Sequence, residues 1–79
     1  MNKRLQSLLA DVFGLRNDQV GIDLTKDNLS HWDSLKQMDL VVSLEREFNI
    51  TLEIPDIIQM ISVKNIMQIL ANKGVSVGD

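Results

Sequence analysis

The sequence predicts an all-α fold: four helices around one core, three of them substantial and the third short, with a long loop between the first and second. Three observations predict it. Apolar residues recur at helical spacing in three separate stretches, near residues 5–13, 40–48 and 63–70. Gly14, Pro55 and Gly74 stand where such stretches should stop or start. The segment between residues 14 and 32 keeps no period.

The first helix is expected over about residues 2–13. Leu5, Leu8, Leu9, Val12 and Phe13 follow an i, i+3, i+4, i+7, i+8 pattern, one face of an amphipathic helix. Gly14 then suits the left-handed position that ends a helix. In the loop, Asn17-Asp18, Gly21, Asp23, Thr25 and Asp27-Asn28 are turn formers. Leu15, Val20, Ile22, Leu24 and Leu29 are expected to pin the loop to the core, and Asp23 or Thr25 to start a short helical turn.

The second helix is expected over 34–48. Ser30-x-x-Asp33 and Ser34-x-x-Gln37 both resemble capping arrangements. Asn49 to Leu52 reads as an extended connector, and Ile54, which precedes a proline, is biased away from helix. Pro55 suits a first helical turn, so a short helix is expected over 55–60 with Asp56 near its positive end. Ser62 is the expected N-cap of the last helix, 63–72, which buries Val63, Ile66, Met67 and Leu70. Gly74 ends it, and residues 75–79 are expected to fray.

Seventy-nine residues make one domain and leave little room for a deep cleft. With 44% hydrophobic residues the chain can build a core. It has no cysteine, which removes thiol chemistry and thiolate metal sites. A net charge of −3 argues against nucleic acid as a partner and toward basic protein surfaces. No apolar run approaches a membrane span, and the basic N-terminus lacks the apolar stretch of a signal peptide. The expectation is a soluble cytoplasmic monomer without membrane insertion.

The second helix carries more apolar surface than one core face needs. Leu40, Val41, Leu44 and Phe48 form one stripe. Leu35, Met38 and Val42 form another, well over a quarter turn away at roughly 100° per residue. Such a stripe is either packed beneath the loop or the third helix, or offered to a partner. It begins beside Ser34 and is bordered by Asp39, Glu45 and Arg46, as a docking strip would be. From Asp33 to Asp56 there are six acids and two bases.

Ser34 admits three readings at this point. It is a helix cap with Gln37 as its partner, a nucleophile, or a hydroxyl to be modified. The nucleophile lacks support: the single histidine, His31, is three residues away on a loop, and no Gly-x-Ser-x-Gly elbow is present. A modifying phosphate at this position would be favoured by the helix dipole and by free backbone N–H groups.

His31-Trp32-Asp33-Ser34-Leu35, then Leu40, Val41, Leu44-Glu45-x-Glu47-Phe48-x-Ile50 and Ile54-Pro55-Asp56, resemble the acyl carrier protein family over nearly the whole chain. The resemblance implies an antiparallel four-helix bundle that is not an enzyme. It implies that Ser34, flanked by Asp33 and Leu35, is the attachment point of 4′-phosphopantetheine, brought from coenzyme A by a phosphopantetheinyl transferase. The arm's thiol would carry acyl groups as thioesters, supplied by a ligase or acyltransferase and consumed by synthase or modifying enzymes. Leu35, Met38, Asp39, Val42 and Glu45 fall where the family meets its partners, and Arg46 and Asp56 complete the expected surface.

The chain departs from fatty-acid carriers in places. Lys36 stands where many have an acid, Arg46 interrupts the acidic run, and Trp32 replaces a small residue. These soften the negative face and point to a dedicated partner set in place of the generic fatty-acid machinery; the carrier itself is expected to serve a fatty-acid, polyketide or related specialised pathway. Trp32 is otherwise expected as a half-buried packing residue, and His31 as a loop residue without chemistry. Two alternatives stand beside this reading: a peptidyl or aminoacyl carrier, and a plain helical interaction domain in which Ser34 is only a cap.

Overall fold

The computed structural model describes residues 1–78 of the chain. Among them are four α-helices and no strand: α1 (Lys3–Phe13), α2 (Ser34–Phe48), α3 (Ile54–Gln59) and α4 (Val63–Asn72). Two ion pairs show their directions. Arg4 at the start of α1 meets Glu47 at the end of α2 at 2.8 Å, and Asp56 in the first turn of α3 meets Lys73 just past α4 at 3.0 Å. Each pair joins the start of one helix to the end of the next, so both helix pairs run antiparallel. The Arg4–Glu47 pair is largely exposed and reports register more than it stabilises. The Arg4 guanidinium also lies 5.0 Å from the Phe48 ring centre, which holds the half-buried ring at the end of α2.

Each helix start has a local cause. Asn2 caps α1 by accepting from the Arg4 and Leu5 N–H groups. Gly14 ends α1 at φ 65°, a left-handed conformation that glycine takes without a Cβ penalty. Asn49 plays that part after α2 at φ 53°. In α3, Asp56 accepts from the Glu53 N–H at 2.9 Å, and Pro55 sits in the first turn, where its missing N–H costs nothing. Ser62 caps α4 by accepting from Asn65 N–H at 3.0 Å, as the sequence predicts.

Leu5, Leu9, Leu40, Leu44, Met60, Val63, Ile66 and Leu70 are almost wholly buried and form the centre of one core. The first stripe of α2 therefore faces inward. In α4 the buried set is Val63, Ile66, Ile69 and Leu70; Met67 is only half-buried, and Ile69 takes its expected place.

Several expectations are corrected. The helical turn in the first loop lies at Asn17–Gln19, where the Arg16 N–H bonds the Gln19 side chain at 2.8 Å. Thr25, as the sequence predicts, also starts one isolated helical turn: its carbonyl accepts from Leu29 N–H, and its hydroxyl from the N–H groups of Asp27 and Asn28. Val20 and Leu29 do pin the loop, but Ile22 is 57% exposed, because the turn from Leu24 N–H to the Gly21 carbonyl swings it outward. The loop is sewn to the α3–α4 connector by Lys26 N–H to the Ile61 carbonyl and Val63 N–H to the Leu24 carbonyl. The third helix starts one residue earlier than expected, at Ile54, and ends at Gln59. Its first N–H bond, from Ile57 to the Glu53 carbonyl, spans Pro55 and so needs nothing from it.

The chain end is tied down as far as Val77. Asn2 donates its backbone N–H to the Val77 carbonyl and its side-chain amide to the Ser76 carbonyl, while Val75 and Val77 pack on the core. Asp79 lies outside the described residues. No helix among the described residues is long and apolar enough to cross a membrane.

Candidate functional site

The segment leading into α2 is anchored before it reaches Ser34. His31 Nε2 lies 2.7 Å from the Phe13 carbonyl at the end of α1. A carbonyl only accepts, so that nitrogen carries the proton. Trp32 is 3% exposed, its ring 4.7 Å from that of Phe13, and is thus a fully buried packing residue, not a half-buried one. Its indole N–H donates to Gln37 Oε1 at 2.7 Å. Leu29, buried one turn earlier, accepts the Trp32 N–H.

Ser34 follows as the first residue of α2 and is exposed. It does not cap the helix. Asp33 does, in extended conformation, with its carboxylate accepting from Lys36 N–H at 2.9 Å. Gln37 is not a capping partner either: it is buried, with its side-chain amide donating to the carbonyls of Ile57 and Met60. Among the described residues the Ser34 and Leu35 N–H groups have no protein acceptor, as expected in a first turn. His31 makes no bond to Ser34, and its ring stands edge-on to Phe13 instead. The geometry thus presents a free hydroxyl at a helix N-terminus, without a base.

The second stripe of α2 faces outward. Leu35 is 82% exposed, Met38 54% and Val42 46%. The loop and α3 do not cover it. Asp39 and Arg46 are exposed beside it, with Asp39 accepting from the Ser43 hydroxyl. Glu45 is partly buried, and its carboxylate accepts from Leu52 N–H at 2.8 Å, which fixes the connector between α2 and α3. Asp56 is likewise engaged internally, by Glu53 and Lys73, and this pair of contacts holds its carboxyl below the ordinary 3.8. The expected surface is therefore brought together on α2 at Leu35, Met38, Asp39 and Val42, whereas the carboxylates of the partly exposed Glu45 and Asp56 are engaged by Leu52 N–H and by Glu53 and Lys73. An open groove of about 520 Å³ between α1 and α2 is lined by Arg46, Lys3, Ser7 and Ser43; Ser34 is not part of it.

Sequence reasoning missed Gln37 as a buried bridge and missed an apolar face on α3, where Ile54 is 73% exposed and Ile58 70%. Their i, i+4 spacing is a helical signal, but a helix of six residues is too short for periodicity to separate an outer face from an inner one.

Comparison with known proteins adds the family. The family model described as "Phosphopantetheine attachment site" matches residues 3–70. The chain is 30% identical over 71 residues to the acyl carrier protein of Cyanidium caldarium, covering 90% of this chain and 83% of that one. It is 25% identical over 71 residues to the acyl carrier protein of Petrotoga mobilis, covering 90% and 84%. The four antiparallel helices and the match over most of both chains lead to one conclusion: this chain belongs to the acyl carrier protein family, a carrier and not a catalyst, working through a covalently attached 4′-phosphopantetheine.

Proposed function

We propose that Ser34 is the residue that bears the phosphopantetheine arm and that the protein holds acyl intermediates for the enzymes of a fatty-acid, polyketide or related specialised pathway. One observation carries this. Ser34 stands exposed at the first position of α2 while Asp33 performs the capping, so the hydroxyl is left with no structural duty.

The residues present fit the group. A phosphodiester on Ser34 would lie at the positive end of a fifteen-residue helix, beside N–H groups that lack a protein acceptor. The exposed Leu35 offers an apolar contact next to the arm's root. When bound, the group supplies a terminal thiol for acyl thioesters, on a chain without cysteine. The hydroxyl proton must pass to a base of the transferase, because His31 is turned to Phe13.

Leu35, Met38 and Val42 form the strip that meets the transferase, the loading ligase or acyltransferase, and the synthase or modifying enzymes, with Asp39 and Arg46 at its border. Glu45 and Asp56 support that surface from within more than they steer partners to it. Lys36 and Arg46, inside an otherwise acidic segment, favour a dedicated partner set. The protein acts as a cytoplasmic monomer.

The test is modification itself. Wild type and Ser34→Ala are incubated with coenzyme A, Mg²⁺ and a permissive phosphopantetheinyl transferase, and intact masses are taken. Wild type gains one phosphopantetheine and Ser34→Ala gains none. Equal gain by Ser34→Ala would move the site elsewhere.

A further inference from the structure

The carbonyl of Phe13 is the last on α1, and the chain turns away from it at Gly14, φ 65°. The N–H groups of Gly14 and Leu15 both go back to the Ala10 carbonyl, and no backbone N–H among the described residues reaches that of Phe13. Such a carbonyl stands at the negative end of its helix, open to a donor from elsewhere. His31 is that donor. Its Nε2 lies 2.7 Å from the oxygen, and its ring stands edge-on to the Phe13 ring with centres 6.2 Å apart.

The same bond acts on the start of α2. Among the described residues, the other hydrogen bonds of residues 30–36 stay within the loop or α2. Trp32 N–H goes to the Leu29 carbonyl, the Trp32 indole to Gln37, and the Lys36 and Gln37 N–H groups to Asp33. The His31–Phe13 bond is the one that leaves this stretch for another helix. Trp32 adds its packing on the Phe13 ring, but ring faces can slide, whereas a hydrogen bond fixes distance and direction. Ser34 itself is the first residue of α2, with no protein acceptor for its N–H. Helix ends fray from such positions unless the chain before them is held.

We propose that His31 is a positioning residue for the modification of Ser34. It fastens the chain three residues ahead of the serine to the end of α1 and keeps the first turn of α2 wound. The hydroxyl then holds one place relative to Leu35, Met38 and Val42 while a transferase is docked on that strip. The effect falls on the docked complex, where misplacing a reacting group slows the chemical step, and so on kcat more than on KM. The charge of the ring is not needed, because Nε2 carries a proton in the charged ring and in the neutral tautomer that a carbonyl selects. The proposal rests on Ser34 as the attachment point.

The test compares wild type, His31→Phe, His31→Gln and Ile69→Val. His31→Phe keeps a ring against Phe13 and removes the donor; His31→Leu replaces it if that variant does not fold. His31→Gln restores a donor, since its amide nitrogen stands as many bonds from Cα as Nε2 does. Ile69→Val loosens the core at α4, away from the loop. The carrier's KM and kcat are read for phosphopantetheine transfer at saturating coenzyme A. Backbone amide relaxation by NMR reads the order of Trp32, Asp33 and Ser34 against Ile66 and Leu70. Loss of the donor lowers kcat about tenfold, leaves KM within about twofold, and lowers the order at Ser34 but not in α4. His31→Gln returns kcat to within about threefold of wild type, which an imidazole acting as a base would not allow. Ile69→Val leaves kcat at the wild-type value. A wild-type kcat without the donor, a change confined to KM, unchanged order at Ser34, or an equal loss of kcat in His31→Gln or Ile69→Val overturns the proposal. Failure of the Ser34 reading has a separate signature, a wild-type mass that does not change on incubation, and would sink both.

Discussion

The indole N–H of Trp32 donates to Oε1 of Gln37 at 2.7 Å, inside the core and on either side of Ser34. The bond encloses the segment bearing Ser34 between two buried anchors while the serine itself stays outside. Trp32→Phe would keep the packing on Phe13 but leave the Gln37 oxygen buried without a donor. A loss of about 1–3 kcal/mol is expected. Urea unfolding followed by circular dichroism measures it; a loss within error would mean that water replaces the indole.

Capping duty separates Asp33 from Ser34. Asp33→Ala removes the acceptor of Lys36 N–H and should cost about 1 kcal/mol of stability. Ser34→Ala removes no helix contact and should change stability by less than about 0.5 kcal/mol while abolishing modification. Denaturant midpoints of the two variants check the order, and the reverse order would return Ser34 to a structural role.

The two stripes of α2 should respond oppositely to substitution. Leu44 is 1% exposed, so Leu44→Ala should cost about 2–5 kcal/mol. Met38→Glu and Val42→Asp touch exposed positions and should cost less than about 0.5 kcal/mol, yet lower kcat/KM for phosphopantetheine transfer about tenfold. Steady-state kinetics together with melting curves decide between docking and core.

Acid should weaken the α3–α4 clasp. Asp56 is held below its ordinary 3.8 chiefly by the Glu53 N–H, then by the hydrogen bond to Lys73, with burial opposing and the Lys73 charge adding the smallest help. A carboxyl depressed in the folded state contributes stability that is present above the unfolded value and lost as pH falls through the folded one. Asp56→Asn should therefore be less stable than wild type at neutral pH, with the gap closing as pH drops through and below 3.8. Urea midpoints across that range test the sign. A gap that widens in acid would contradict it.

Much of this was legible in the chain. Leu5 to Phe13, Leu40 to Phe48 and Val63 to Leu70 repeat at a period that only a helix satisfies, and Gly14 and Ser62 end or start helices through their own backbone and side-chain chemistry. Asp33-Ser34-Leu35, with the Leu-Glu-x-Glu-Phe and Ile-Pro-Asp segments behind it, marked the attachment candidate and the family. These signals are local: each depends on residues within a few positions of one another.

What the sequence by itself determined was thus the helices, their order and the serine at the mouth of the second. Tertiary structure alone decided which polar groups were free. Gln37 has the spacing of a capping partner but is drawn inward by the Trp32 indole and two α3 carbonyls; Glu45 and Asp56 look like surface acids but are held by Leu52 and Lys73; Asn2, distant in sequence, ties down Ser76 and Val77. The physical reason is that a polar side chain takes the unsatisfied donor or acceptor nearest in space, and such groups come together only once the helices have packed.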